Sequence, residues 1–178
     1  MKLKSIAAAA AAAVVGLATA GHAQAVTTAL GAVSIGVPLA FGGLAAPGAF
    51  LDFFTFTLPP NGGSGYNISN FTFLPVQYNT VFTNFNLVRN LDGIIGSADD
   101  TVVASSTAVG ASNMSLTFAA STGGNYYLSV IGLSNGTLGG IYNGAISVSA
   151  VPEPETYALM LAGIGVIGFM AVRRRPLG

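Results

Sequence analysis

Basic charge is almost confined to the two ends of this chain, and the long middle is left nearly free of it. Lys2 and Lys4 stand at the start, Arg173, Arg174 and Arg175 at the finish, and Arg89 is the one basic residue between them. The acids Asp52, Asp92, Asp99, Asp100, Glu153 and Glu155 all lie in between. A surface helix usually carries a charged face opposite its apolar stripe, and residues 26–150 hold few charges from which to build one. No stretch there keeps i, i+3, i+4, i+7 apolar spacing with capping residues. Short runs rich in Phe, Thr, Val, Tyr and Ile alternate instead with Gly, Asn, Pro and Ser. Strands are expected near residues 26–36, 50–58, 66–74, 81–89, 101–109, 113–118, 126–132 and 141–148. Seven or eight short strands at this spacing predict an all-β passenger, an antiparallel β-sandwich of jelly-roll-like or Ig-like type.

Charged residues make up 7% of the chain, against a usual ~25%. Hydrophobic residues make up 52%, so the chain is not a disordered polar polymer. The middle is mildly acidic, which argues against nucleic acid or anionic lipid as a partner. Cysteine is absent, which excludes disulfides, thiolate zinc sites and thiol catalysis.

The end charges read as addresses. Residues 1–4 form a basic n-region, residues 6–20 an apolar h-region, and Ala23-Gln24-Ala25 the small-x-small pattern that signal peptidase reads. Residues 1–25 are therefore expected to be a signal peptide, with the mature chain starting at Val26. The second apolar run, 157–172, has 16 residues; as a helix it rises ~24 Å, against a hydrocarbon core of ~30 Å. It is expected to be a single transmembrane helix in the inner membrane, short but workable if Arg173 snorkels and Tyr157 sits at the interface. Arg173, Arg174 and Arg175 would lie on the cytoplasmic side. Val151, Pro152, Glu153 and Pro154 precede the run as an extended, acidic strip that a membrane peptidase can read.

Pro152-Glu153-Pro154, a short glycine-bearing apolar span and a terminal arginine cluster, in that order, resemble the PEP-CTERM sorting signal. The resemblance covers residues 151–178 and implies processing by an exosortase, a membrane cysteine transpeptidase of Gram-negative bacteria that make extracellular polysaccharide. The rival reading of the tail is a permanent anchor.

Within residues 26–150 the most informative motif is Phe50-Leu51-Asp52-Phe53-Phe54. Period 2 places Phe50, Asp52 and Phe54 on one face. A carboxylate between two rings either accepts several hydrogen bonds, or meets Arg89 or a cation, or marks the solvent side. This spacing, the run Gly-Gly-Asn-Tyr-Tyr-Leu-Ser-Val-Ile-Gly at 123–132 and the strand at 141–148 are similar to the FxDxF-type group of PEP-CTERM proteins. That group implies an exported β-rich protein. A second cluster, Asp92, Asp99 and Asp100, sits in a glycine-bearing loop. It reads either as a solvated turn or as a weak calcium site built from oxygen ligands; the EF-hand spacing is absent.

The only histidine, His22, leaves with the leader, and residues 26–178 hold no lysine either. His-based triads, zinc sites and Schiff-base chemistry are thus excluded. The chain is expected to be no enzyme and to need no cofactor beyond that calcium. Signal peptidase, an exosortase and an exopolysaccharide are the expected partners, and the cell surface or matrix the expected destination. The expected role is structural or adhesive, in a biofilm or its polysaccharide. The alternatives are a calcium-assisted glycan-binding module and a permanently anchored periplasmic protein.

Overall fold

The computed structural model describes residues 24–72, 76–119, 121–150 and 154–173. Along these run β1 (Gln24–Ala32), β2 (Leu39–Ala45), β3 (Gly48–Pro60), β4 (Gly62–Phe71), β5 (Thr80–Arg89), β6 (Thr101–Ala111), β7 (Asn113–Phe118), β8 (Thr122–Ser134), β9 (Gly140–Ala150) and the helix α1 (Pro154–Arg173). The strands form two sheets, one ordered β1-β3-β8-β5-β6 and the other β2-β9-β4-β7.

The alternation that suggests strands is also what builds the core. In β3 the even positions Phe50, Asp52, Phe54, Phe56 and Leu58 are buried, and their odd neighbours are more open. From the facing sheet come Tyr66 and Ile68 of β4, Leu116 of β7, and Tyr142 and Ile146 of β9. Their rings and branched chains form one continuous apolar layer between the sheets.

All eight expected strands are present, and β2 is an addition. Its sequence, LAFGGLA, carries Gly42 and Gly43 in the middle, which interrupts the alternation a strand shows. The expectation of a wholly antiparallel sandwich needs one correction: β1 pairs with β3 in parallel. The chain path is the reason. β2 belongs to the other sheet, so the chain crosses over after β1 and comes back to β3 running in β1's direction. The other pairings are antiparallel.

Three large rings lie across the strand from glycines: Phe50 opposite Gly132, Phe41 opposite Gly144 and Tyr142 opposite Gly43. A β-carbon at Gly132 would come within 2.7 Å of the Phe50 ring and 2.5 Å of the Val81 carbonyl. The glycine allows the ring to fold flat over its neighbour's backbone.

Helix α1 starts at Pro154, where a proline's fixed φ and missing N–H suit the first turn. Glu155 in its first turn and Arg173 in its last complement the helix dipole. The apolar side chains Leu159, Leu161, Ile167 and Phe169 are exposed. Among the described residues no helix is long and apolar enough to cross a membrane. Helix α1 covers the run 157–172 where a spanning helix is expected, without itself showing a span.

Candidate functional site

Asp52 is 5% exposed and lies between the two sheets. The first of the three sequence readings holds, since the carboxylate accepts hydrogen bonds with both oxygens. The backbone N–H of Val26, its partner across the β1–β3 ladder, donates to Oδ1 at 3.2 Å. The hydroxyl of Tyr142, from β9 in the opposite sheet, donates to Oδ2. The Tyr142 ring stacks on Phe50 at 5.5 Å and meets Phe54 and Phe82 edge-on at 6.3 and 5.8 Å. Phe50, Asp52 and Phe54 thus share one environment, as the spacing implies. Burial pushes the Asp52 carboxyl above its ordinary value, against the two hydrogen bonds, which lower it. Burial, with the neighbouring Asp52, also raises the Tyr142 phenol, so it stays a protonated donor.

Tyr142 and the Val26 amide are the partners that sequence reasoning missed. Tyr142 is 90 positions away from Asp52, so no local spacing links them. The available signal was that a buried tyrosine brings a hydroxyl needing a partner.

The second cluster comes together in the connection from β5 to β6. Carboxylate oxygens of Asp92, Asp99 and Asp100 lie within 4.8 Å of one another. Two oxygens bound to one calcium at ~2.4 Å are at most ~4.8 Å apart, so the spacing fits a hard cation. The loop also satisfies these acids itself. The backbone N–H of Ile94 donates to Asp92 at 2.8 Å, and Ser97 donates to Asp99 and, at 3.3 Å, to Asp92. Asp100 Oδ2 accepts from the Gly96 N–H at 2.6 Å and from the Tyr127 hydroxyl at 2.9 Å, while its Oδ1 is buried with no hydrogen-bond partner.

The address residues are placed in part. Ala25 is exposed in β1, Pro154 opens α1, and Arg173 is exposed in its last turn. Ala23, Val151, Pro152, Glu153, Arg174 and Arg175 lie outside the described residues, as does most of the leader. A shallow groove of about 450 Å³ on the second sheet is lined by Gly63, Ser64, Thr117, Ser147 and Ser149 among others.

Fold and tail together define a β-sandwich followed by a short apolar helix with a basic end. Residues 150–175 match the PEP-CTERM protein-sorting motif. That motif implies an exosortase as processing partner and export to the cell envelope or extracellular space of a Gram-negative bacterium. No curated protein matches the chain. Among solved structures, the pre-peptidase C-terminal domain of a collagenase from Bacillus anthracis is similar, with 18% identity, a TM-score of 0.40, and coverage of 72% of this chain and 97% of that one.

Proposed function

We propose that this protein is a non-enzymatic structural component of the cell surface or its polysaccharide matrix, released there by an exosortase. The observation that carries the reading is the sorting motif at 150–175. In this reading signal peptidase cuts after Ala25, and α1 then rests in the inner membrane while the strip around Pro152, Glu153 and Pro154 is processed. Support comes from the exposed apolar face of α1 with Arg173 at its end. A run this short holds the membrane weakly, which suits a processing signal better than a permanent anchor. The FxDxF grouping is part of the same reading and rests on Phe50, Asp52 and Phe54. The charge-poor surface, with hydroxyls lining the groove of Ser64, Thr117 and Ser147, suits contact with a neutral glycan.

The test replaces Pro152, Glu153 and Pro154 with alanines. Immunoblots of inner-membrane, outer-membrane and medium fractions should show a longer form accumulating in the inner membrane. Wild-type protein that keeps Arg175 and stays in the inner membrane of a host making an exosortase would establish the permanent anchor instead.

A second reading, a calcium-assisted glycan-binding module, is favoured by the convergence of Asp92, Asp99 and Asp100 and the buried, unpaired Oδ1 of Asp100. Calorimetric titration with calcium, then with a neutral polysaccharide with and without calcium, tests it. Heats equal to those of the Asp99→Ala variant would rule it out.

A further inference from the structure

We propose that the Asp52 carboxylate is the docking site for the protein's own α-ammonium group, created at Val26 when the leader is removed. The inference rests on the cleavage after Ala25 proposed above, and it gives the buried acid of the Phe50-Asp52-Phe54 motif a partner of opposite charge. The geometry is already in place. Val26 stands opposite Asp52 in the β1–β3 ladder, and its backbone nitrogen lies 3.2 Å from Oδ1. Tyr142 occupies Oδ2, so Oδ1 is the oxygen left for Val26.

In the uncleaved chain that nitrogen is an amide with a single N–H and no charge. Signal peptidase hydrolyses the Ala25–Val26 bond with water. The hydroxyl goes to the Ala25 carbonyl carbon and a hydrogen to the Val26 nitrogen. Ala25 leaves as a carboxylate, and the new amine takes up a proton at neutral pH. The same nitrogen now carries three N–H bonds and a full positive charge at hydrogen-bonding distance from a carboxylate that is 5% exposed. A buried carboxylate with only neutral donors is poorly compensated, whereas an ammonium at that distance favours its ionised form.

Of the described residues, the cut removes only Gln24 and Ala25. Gln24 and Ala25 pair with Phe50 and Leu51 at the open end of the edge strand β1, and Ala25 is exposed. Seven residues of β1 remain, Val26 to Ala32, with Leu30 packed on the core. Processing and folding are thereby linked: the precursor buries an acid without its counter-charge, and the mature chain buries a pair.

The chain offers a clean probe, because residues 26–178 contain no lysine and the α-amine is the one amine an acylating ester can reach. The processed protein is isolated from the envelope, its first residue read by terminal sequencing, and its acetylation rate followed by mass spectrometry, native and in denaturant. The expected result is Val26 at the N-terminus, with native labelling about tenfold slower than in denaturant. The half-rate pH should rise by about one unit above the ordinary ~8, as an ion-paired ammonium requires. Asp52→Asn should bring both values back. Should that variant fail to fold, wild-type protein acetylated in denaturant and returned to buffer serves instead, and it should unfold at a lower denaturant concentration than the free-amine form. Val26 at the N-terminus with native labelling as fast as in denaturant, or an unchanged midpoint after acetylation, overturns the ion pair and leaves the cleavage reading standing. A different first residue overturns both.

Discussion

The hydroxyl of Tyr142 in one sheet donates a hydrogen bond to the carboxylate of Asp52 in the other, joining the two layers inside an apolar core. Neither group has water to fall back on, so each becomes costly when the other is removed.

Tyr142→Phe and Asp52→Asn should each lower stability by ~1–3 kcal/mol, because each disturbs a buried polar pairing. The double variant should lose less than the sum of the two, with a coupling of ~0.5–3 kcal/mol, since the two groups share one interaction. Asp52→Ala should also exceed Asp99→Ala, a loop change expected to cost ~0.5 kcal/mol or less. Urea denaturation midpoints of the processed protein measure all of these. Strict additivity would show that the contact contributes nothing of its own.

The same site sets a pH dependence whose sign depends on processing. With an amide at Val26 the folded carboxyl is held above its ordinary value of 3.8, mainly by burial. The folded state then keeps a proton that the unfolded state has released, so stability falls as pH rises. This contribution is complete below 3.8 and is lost as pH climbs through the raised value. Tyr142 from β9 is the titratable side chain bonded to it, with the apolar rings of Phe50, Phe54 and Phe82 around that contact. Full-length chain whose leader is retained by Ala25→Tyr should therefore gain stability on acidification from neutral pH, relative to the same chain carrying Asp52→Asn. Processed protein, with an ammonium at Val26, should lose it. Parallel slopes for the two forms would contradict this expectation.

A β-carbon at Gly132 meets both the Phe50 ring and the Val81 backbone carbonyl, and a carbonyl held in a ladder cannot step aside. Gly132→Ala should cost ~1–3 kcal/mol as an overpacked site. Gly65→Ala is the control, since its added carbon reaches only the Ser147 hydroxyl at 3.3 Å. The check is again the denaturation midpoint, with far-UV circular dichroism confirming that both variants keep their strands.

Much of the sandwich was legible because its strands alternate. In β3 strict period 2 puts Phe50, Asp52 and Phe54 inward, and that is where they are. In β5 the ladder register shifts between Phe82 and Asn84, and Phe82 and Phe85 both become buried although strict alternation puts them on opposite faces. A bulge of that kind has no sequence signature in Thr83. Phe71 follows the alternation of β4 out to the solvent face, at 52% exposure, while Tyr66 and Ile68 fill the interior, so a large ring alone does not mark the core face. Gly123 and Gly124 look like a turn but lie inside β8 with positive φ, the local irregularity that glycine permits in a strand. The Asp92–Asp100 loop was legible as a cluster because its acids are close in sequence. Asp52 was legible as a problem, but its solution was not, because Val26 and Tyr142 come from distant strands.

Tyr127 ties the loop over residues 90–100 to the first sheet. Its hydroxyl donates to Asp100 Oδ2 at 2.9 Å while its ring packs edge-on against Phe53 at 5.7 Å. Tyr127→Phe keeps the ring and removes the tether, so the loss should be local. Global stability should fall by only ~0.5–1.5 kcal/mol, the net worth of one hydrogen bond. The amides of Gly96 and Ile94, which bond to Asp100 and Asp92, should exchange with solvent clearly faster, because the loop can then open without unfolding the sheets. Hydrogen exchange read by mass spectrometry on the processed protein separates the two effects. Calcium at about 1 mM adds a second arm, in the range of weak extracellular sites. If Asp92, Asp99 and Asp100 bind the ion, calcium should restore protection in Tyr127→Phe, since the ion takes over the task of holding Asp100, and it should not do so once Asp99→Ala is added. Loss of protection across β3 and β8 as well would show that Tyr127 supports the sheet itself rather than the loop.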